Sequence, residues 1–167
     1  MKINRKIAEQ IIGFMLIAWS CVTLYITTIS FKYILESLNL SWEEISIFNV
    51  IKNYHFQFII PVLTITSVVL LILNKRIGWV GSTVMSFVYG LWVLIVLLRN
   101  LFVDGIYETE VSNSVLIITS LITTFFLILG VALLHKVFRE KYQPTKKTWL
   151  AMTLTIIVLS VDIFFNT

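Results

Sequence analysis

The chain has 167 residues, of which 58% are hydrophobic and only 13% are charged, with a formal net charge of +4. An average soluble domain carries about 25% charged residues, and a small domain has too much surface to hide so many apolar side chains from water. The composition therefore excludes a soluble globular protein and a disordered chain, and it predicts a membrane protein.

Five apolar runs follow one another along the chain, and each predicts a membrane-spanning helix. A helix needs about 20 apolar residues, and at least about 17, to cross a hydrocarbon core of about 30 Å. Barrel strands would be about 10 residues of alternating polarity, whereas these runs are continuous. The last run has only 17 residues, so a re-entrant or interfacial helix is the alternative there. We predict an all-α polytopic bundle of four to five spans, forming a single membrane domain over residues 1–167, with spans at 7–31, 56–73, 77–98, 115–134 and 149–165.

The distribution of basic residues predicts the topology. If the N-terminus is cytoplasmic, the cytoplasmic segments are 1–6, 74–76 and 135–148, and they hold 10 of the 13 Lys and Arg residues. This division obeys the positive-inside rule, and Trp42, Trp79 and Trp149 fit interfacial aromatic belts. Codon usage of an AT-rich bacterial gene would explain the many Ile, Asn and Lys residues. We therefore expect a multi-pass protein of the bacterial inner membrane, embedded in the lipid bilayer and without direct nucleic-acid binding.

The longest external segment, residues 32–56, predicts a further short helix. Ser41 and Glu44 have the spacing of a capping box, in which each side chain bonds the backbone N–H of the other residue. Apolar residues then recur every third position, so we predict an amphipathic helix over 42–54 on the outer membrane surface. Its apolar stripe, a candidate external recognition face, is Trp42, Ile45, Phe48 and Ile51. Residues 32–38 contain no helix breaker, so the helix of the first span is expected to continue beyond the membrane.

Few residues could carry chemistry. Spans two, three and four contain no Asp, Glu, His, Lys or Arg, although transporters and proton pumps normally place such residues inside the membrane. Glu9 and Asp162 lie about one turn from the ends of their spans and are expected to reach the headgroup region. Cys21 is the only cysteine, and His55 and His135 are expected on opposite sides of the membrane. We predict a protein that is not an enzyme, with no catalytic residue, metal site or cofactor.

Two spans carry small or hydroxyl-bearing residues at helical spacing. In the third span they are Gly78, Ser82, Ser86 and Gly90. Such a ridge lets two helix backbones approach closely, which favours intrachain packing, with a homo-oligomer interface or a pore lining as alternatives. In the fourth span they are Thr119, Ser120, Thr123 and Thr124. These hydroxyls could line a narrow water path, but we prefer bonds to the carbonyls four residues earlier.

The predicted cytoplasmic loop 135–148 is the most basic segment of the chain. Its basic residues are Lys136, Arg139, Lys141, Lys146 and Lys147, and Glu140 is its only acid. The charge is expected to set the topology and to attract anionic lipid headgroups. The alternative is a docking surface for a cytosolic protein partner.

These features lead to a first hypothesis, a non-enzymatic, homo-oligomeric membrane sensor or scaffold that recruits or regulates a cytosolic effector. In size, number of spans and basic cytoplasmic face, the chain resembles the small membrane subunits of bacterial two-gene antiphage systems, such as the Kiwa membrane protein. That resemblance covers the whole chain at the level of architecture and transfers no functional residue. It implies a role in antiviral defence, in which the membrane subunit detects infection at the envelope and acts with a cytosolic partner.

Two alternatives remain open. An immunity protein against a membrane-active toxin or bacteriocin would use the amphipathic helix 42–54 as its recognition face. A small channel or carrier is disfavoured, because the centres of the spans lack charged groups.

Overall fold

The computed structural model describes residues 5–37, 47–102 and 113–166. Within these ranges nearly every residue is helical and no strand is present, which confirms the all-α prediction. The described helices are α1 (Arg5–Ser37), α2 (Ile47–Ile72), α3 (Arg76–Phe102), α4 (Asn113–Leu133), α5 (Lys136–Tyr142) and α6 (Lys146–Asn166).

Four of the described helices are long and apolar enough to cross a membrane, as expected for a membrane-embedded protein. They are Arg5–Ser37, Arg76–Leu98, Ser114–Leu133 and Lys146–Phe165. The last of these has 20 residues rather than the expected 17, because the helix starts before Trp149. The shortest apolar helix is instead Phe56–Ile72 in α2.

Helix α2 changes direction at Tyr54, whose φ of −120° and ψ of 21° are not helical. The kink coincides with the predicted boundary between the external helix 42–54 and the second span. Trp42 and Ile45 lie outside the described residues, as do the side chains of Phe48 and Ile51. The predicted recognition stripe therefore stays a prediction.

The chain forms two compact units, Met1–Gly78 and Trp79–Thr167. In the first unit, α1 packs against α2 in an antiparallel direction. A Cβ atom on Gly13 would lie 2.8 Å from Cγ1 of Val68, so the two helices approach closely near the start of α1. Near the other end of α1, the ring of Phe31 meets that of Tyr54 edge to face, with 5.6 Å between centroids. Gly13 permits the close approach of α1 to α2 near Val68, because glycine has no side chain to hold the two helices apart.

The second unit contains α4, α5, α6 and all of α3 after Gly78. Helices α3 and α4 are antiparallel neighbours, and each contributes a glycine to the contact. A Cβ atom on Gly90 would lie 3.1 Å from Cδ2 of Leu127, and one on Gly130 would lie 2.9 Å from the ring of Phe87. The fully buried Tyr89 packs against Phe126 in the same layer, with ring centroids 5.2 Å apart.

Hydroxyl groups in the helices mostly bond to the carbonyl four residues earlier. Buried examples are Ser20 to Leu16, Thr64 to Ile60 and Thr83 to Trp79, each with a distance of 2.8 Å. Exposed threonines do the same, including Thr28, Thr66 and Thr155. The bond satisfies the hydroxyl without a partner from another helix. The preferred interpretation of the fourth span is thus confirmed at Thr119, which donates to the carbonyl of Val115 at 2.7 Å.

Candidate functional site: a basic platform in the second unit

The most basic segment of the chain is an ordered helical structure rather than a loop. Helix α5 begins after His135, whose Nδ1 accepts a hydrogen bond from the N–H of Val137 at 3.4 Å. It ends at Gln143, which has a left-handed φ of 43° and whose N–H donates to the carbonyl of Arg139 at 2.9 Å. Pro144 then lacks the N–H needed to continue the helix. We call α5 and the start of α6, residues 136–147, the basic platform.

The start of α6 is capped by two threonines. The hydroxyl of Thr148 accepts from the N–H of Thr145 at 3.2 Å, and that of Thr145 accepts from the N–H of Thr148 at 3.4 Å. This reciprocal arrangement resembles a capping box, with threonine in place of the usual glutamate. Both helices of the basic platform therefore have defined starts.

Aromatic side chains anchor α5 to the rest of the second unit. Phe138 and Tyr142 lie one turn apart on α5, and both are buried. The ring of Tyr142 stacks on Trp79 of α3, with centroids 5.7 Å apart and planes 13° from parallel. Trp149 of α6 meets Trp79 edge to face at 6.2 Å. Helices α5 and α6 therefore both pack against one indole ring of α3.

Trp79 is the centre of this aromatic cluster, and its environment corrects the prediction of an interfacial belt. Its side chain is fully buried, and its indole N–H donates to the carbonyl of Leu133 at 2.8 Å. That carbonyl belongs to the last turn of α4, where backbone acceptors have no partner within the helix. Trp79 thus lies at the end of a span, as expected, but it is enclosed by protein rather than facing headgroups.

Burial of the aromatic face of α5 leaves its charged face outward. Lys136 and Glu140 form an exposed ion pair, with 3.6 Å between Nζ and Oε1. Arg139, Lys146 and Lys147 are exposed, and Nζ of the half-buried Lys141 lies 4.7 Å from the centroid of the Tyr142 ring. Four of the five predicted binding residues are therefore exposed, and Lys141 is half-buried.

Three of the five basic residues of the platform lie where they do not stabilise its helices, whereas Arg139 and Lys141 lie in the last turn of α5, where cations are favourable. Lys136 is the first residue of α5, Lys146 and Lys147 open α6, and neither helix has an acid in its first turn. Cations near a helix N-terminus are unfavourable, because the helix dipole places positive charge there. Helix stability therefore does not account for the three cations at the helix N-termini.

The ridge of the third span is buried inside the chain. All four of its residues, Gly78, Ser82, Ser86 and Gly90, are buried. Ser86 donates to the carbonyl of Ser82 at 2.8 Å, and Gly90 faces Leu127 of α4. These contacts are those expected of intrachain packing, so an oligomer interface would have to use another surface.

The hydroxyls of the fourth span point in different directions. Thr123 is buried, and its Oγ1 has no hydrogen-bond partner among the described residues, so the predicted bond to the carbonyl four residues earlier is wrong at this position. Ser120 and Thr124 are exposed and line a shallow groove of about 320 Å³ with Leu116, Ile117 and Leu121. The four hydroxyls therefore do not line one continuous path along α4.

The two intramembrane acids differ in their surroundings. Glu9 is only 3% exposed, so it is enclosed by protein instead of reaching the headgroup region as expected. Asp162 is half-buried near the end of α6. Within the part of the chain that the structure describes, no three His, Cys, Asp or Glu residues form a group that could hold a metal ion.

No protein-family model matches the chain, and neither a curated protein nor a solved structure matches it.

Proposed function

We propose that this protein is a non-enzymatic scaffold or sensor of the bacterial inner membrane that recruits a cytosolic effector protein through the basic platform. The observation that carries the proposal is the anchoring of α5 by Phe138 and Tyr142 against Trp79. A segment needed only to set topology requires positive charge but no fixed structure. A partner-binding surface gains affinity from being held in place before the partner arrives.

The geometry favours a protein partner over the lipid surface for this platform. An interfacial helix binds the bilayer by inserting its apolar face among the lipids. On α5 that face is already covered, because Phe138 and Tyr142 are buried. The exposed face also carries Glu140, whose carboxylate would be repelled by anionic headgroups. A partner protein whose surface is mainly acidic complements this mixture of five cations and one acid better than a uniformly anionic lipid surface does.

The proposed partner surface is acidic, and its binding is sensitive to salt. Exposed charges attract over about 10 Å at 0.1 M salt and are screened at higher concentrations. Such complementarity raises the association rate and selects the partner more than it raises affinity. The homo-oligomeric state, the cytoplasmic side of the platform and a role in antiviral defence belong to the same proposal. The last of these is supported only by the architectural resemblance.

The proposal is tested by replacing three exposed cations of the platform, Arg139, Lys146 and Lys147, with glutamine. We expect co-purification of the cytosolic partner from native membranes to fall about tenfold, since three exposed charge pairs contribute about 0.5 kcal/mol each. The same loss should occur for the wild-type protein when salt is raised from low to high concentration. The measurement is quantitative mass spectrometry of proteins captured with the tagged chain.

Lys32→Gln serves as the matched control, because Lys32 is an exposed lysine paired with Glu36 on α1 and does not belong to the platform. Its capture profile should equal that of the wild type. Reporter fusions to the C-terminus must show unchanged topology in the triple variant. Equal capture by the triple variant, the control and the wild type would contradict the proposal.

A further inference from the structure

A buried carboxylate near the start of α1 has no role in the platform. Glu9 is 3% exposed and lies on the face of α1 that also buries Ile12, Gly13 and Leu16. Enclosing a charged carboxylate costs several kcal/mol unless a cation compensates it, and an acid within a span is expected to be paired. The first unit should therefore contain a cation close to Glu9.

The register between α1 and α2 indicates where that cation lies. Phe31 of α1 faces Tyr54 of α2, and Gly13 faces Val68 and Ile72. In an antiparallel pair, a step of four residues toward the start of α1 is a step of four toward the end of α2. Glu9 is therefore level with residues 72–76, which form the end of α2, the turn and the start of α3.

The turn at this level is fixed by its own backbone bonds. The N–H of Lys75 donates to the carbonyl of Leu70 at 2.8 Å, and that of Gly78 donates to the carbonyl of Lys75 at 3.0 Å. Asn74 adopts a left-handed φ of 59°, which asparagine tolerates better than most residues. The position of Arg76, the first residue of α3, is thus determined relative to α2.

We propose that the guanidinium of Arg76 pairs with the carboxylate of Glu9 and locks the start of α1 against the turn between α2 and α3. Arginine suits this position, because its aliphatic stem can lie along the apolar helices while its planar head meets a carboxylate at two points. Lys75 lies in the same turn, and Lys6 lies three residues before Glu9 on the same helix. These two are the competing cations.

A double-mutant cycle tests the lock. Arg76→Gln should speed unfolding of the purified protein in sodium dodecyl sulfate about tenfold, because it leaves the buried carboxylate of Glu9 without its partner. Glu9→Gln should have a smaller effect, because Arg76 is exposed and water can solvate its charge. The double variant should unfold no faster than either single variant. Exchanging the residues, Glu9→Arg with Arg76→Glu, should recover most of the stability. If a single variant fails to accumulate in the membrane, the exchange should restore its accumulation.

Matched variants identify the cation. Glu36→Gln removes the acid of the exposed Lys32–Glu36 pair and should change the unfolding rate less than twofold, as exposed pairs contribute little. Lys6→Gln and Lys75→Gln should each act independently of Glu9→Gln. Additive effects of the Glu9 and Arg76 substitutions, or coupling of Glu9 to Lys6 or Lys75 instead, would overturn the assignment. None of these readouts depends on a partner of the basic platform.

Discussion

Replacing Trp79 with alanine is expected to release the basic platform from the second unit. The change removes the ring that stacks on Tyr142 and meets Trp149, and it leaves the carbonyl of Leu133 without its donor. Large-to-small substitutions of buried aromatic residues cost about 3–5 kcal/mol. We expect trypsin to cleave α5 after Arg139 much faster than in the wild type, together with a lower thermal midpoint. Limited proteolysis followed by mass spectrometry measures the first effect.

Trp79→Phe separates stacking from hydrogen bonding. A phenylalanine ring keeps an aromatic surface against Tyr142 but cannot donate to Leu133, so the cost should be about 1 kcal/mol. The order of stability should therefore be wild type, Trp79→Phe and Trp79→Ala. Unchanged cleavage at Arg139 in the alanine variant would show that the aromatic cluster does not hold α5. In that case the preorganised docking surface would lose its support.

Gly78→Ala is expected to be the most disruptive single-methyl substitution among the glycines described at the helix contacts. A Cβ atom there would overlap the backbone nitrogen of Leu71 and the carbonyl carbon of Leu70. Backbone atoms cannot rotate away as a side chain can, so the end of α2 would have to move. Overpacking typically costs about 1–3 kcal/mol, and we expect the upper end of this range or more. The measurements are the yield of membrane-inserted protein and the thermal midpoint of unfolding in detergent.

Gly90→Ala is the matched comparison on the same ridge. The new methyl group would meet Cδ2 of Leu127 at 3.1 Å, and that side chain can shift by a few tenths of an ångström. Gly90→Ala should therefore lower stability by less than Gly78→Ala. Equal effects of the two substitutions would mean that the end of α2 is not tightly packed against Gly78.

Four of the five predicted spans correspond to described helices that are long and apolar enough to cross a membrane, because composition and run length alone determine them. The second predicted span, 56–73, corresponds to the shorter apolar helix Phe56–Ile72. A run of about 20 apolar residues is long enough to cross the membrane whatever its neighbours are, so each span can be predicted separately. The continuation of α1 to Ser37 was predictable, since no Gly or Pro lies between Lys32 and Ser37. The kink at Tyr54 coincides with the boundary between two hydrophobic patterns, and a pattern change is visible in the sequence.

The basic platform was not predictable as a helix, because seven residues are too few to form one without tertiary contacts. The available signal was the spacing of Phe138 and Tyr142, which puts two aromatic side chains on one face between charged residues. The burial of Glu9 also depends on tertiary packing, which the pattern of its own helix does not show. The position of Trp79 near a span end was correct, but the enclosing residues come from three later helices.

The hydrogen bonds from threonine hydroxyls to backbone carbonyls change the surface that the helices present to lipid. Where an exposed threonine such as Thr28, Thr66 or Thr155 bonds its own helix, the hydroxyl is turned toward the backbone. The acyl chains then contact the methyl group of the threonine. Hydropathy scales assign each such residue the polarity of a free hydroxyl. These spans should therefore partition into the bilayer more favourably than a sum over their side chains indicates.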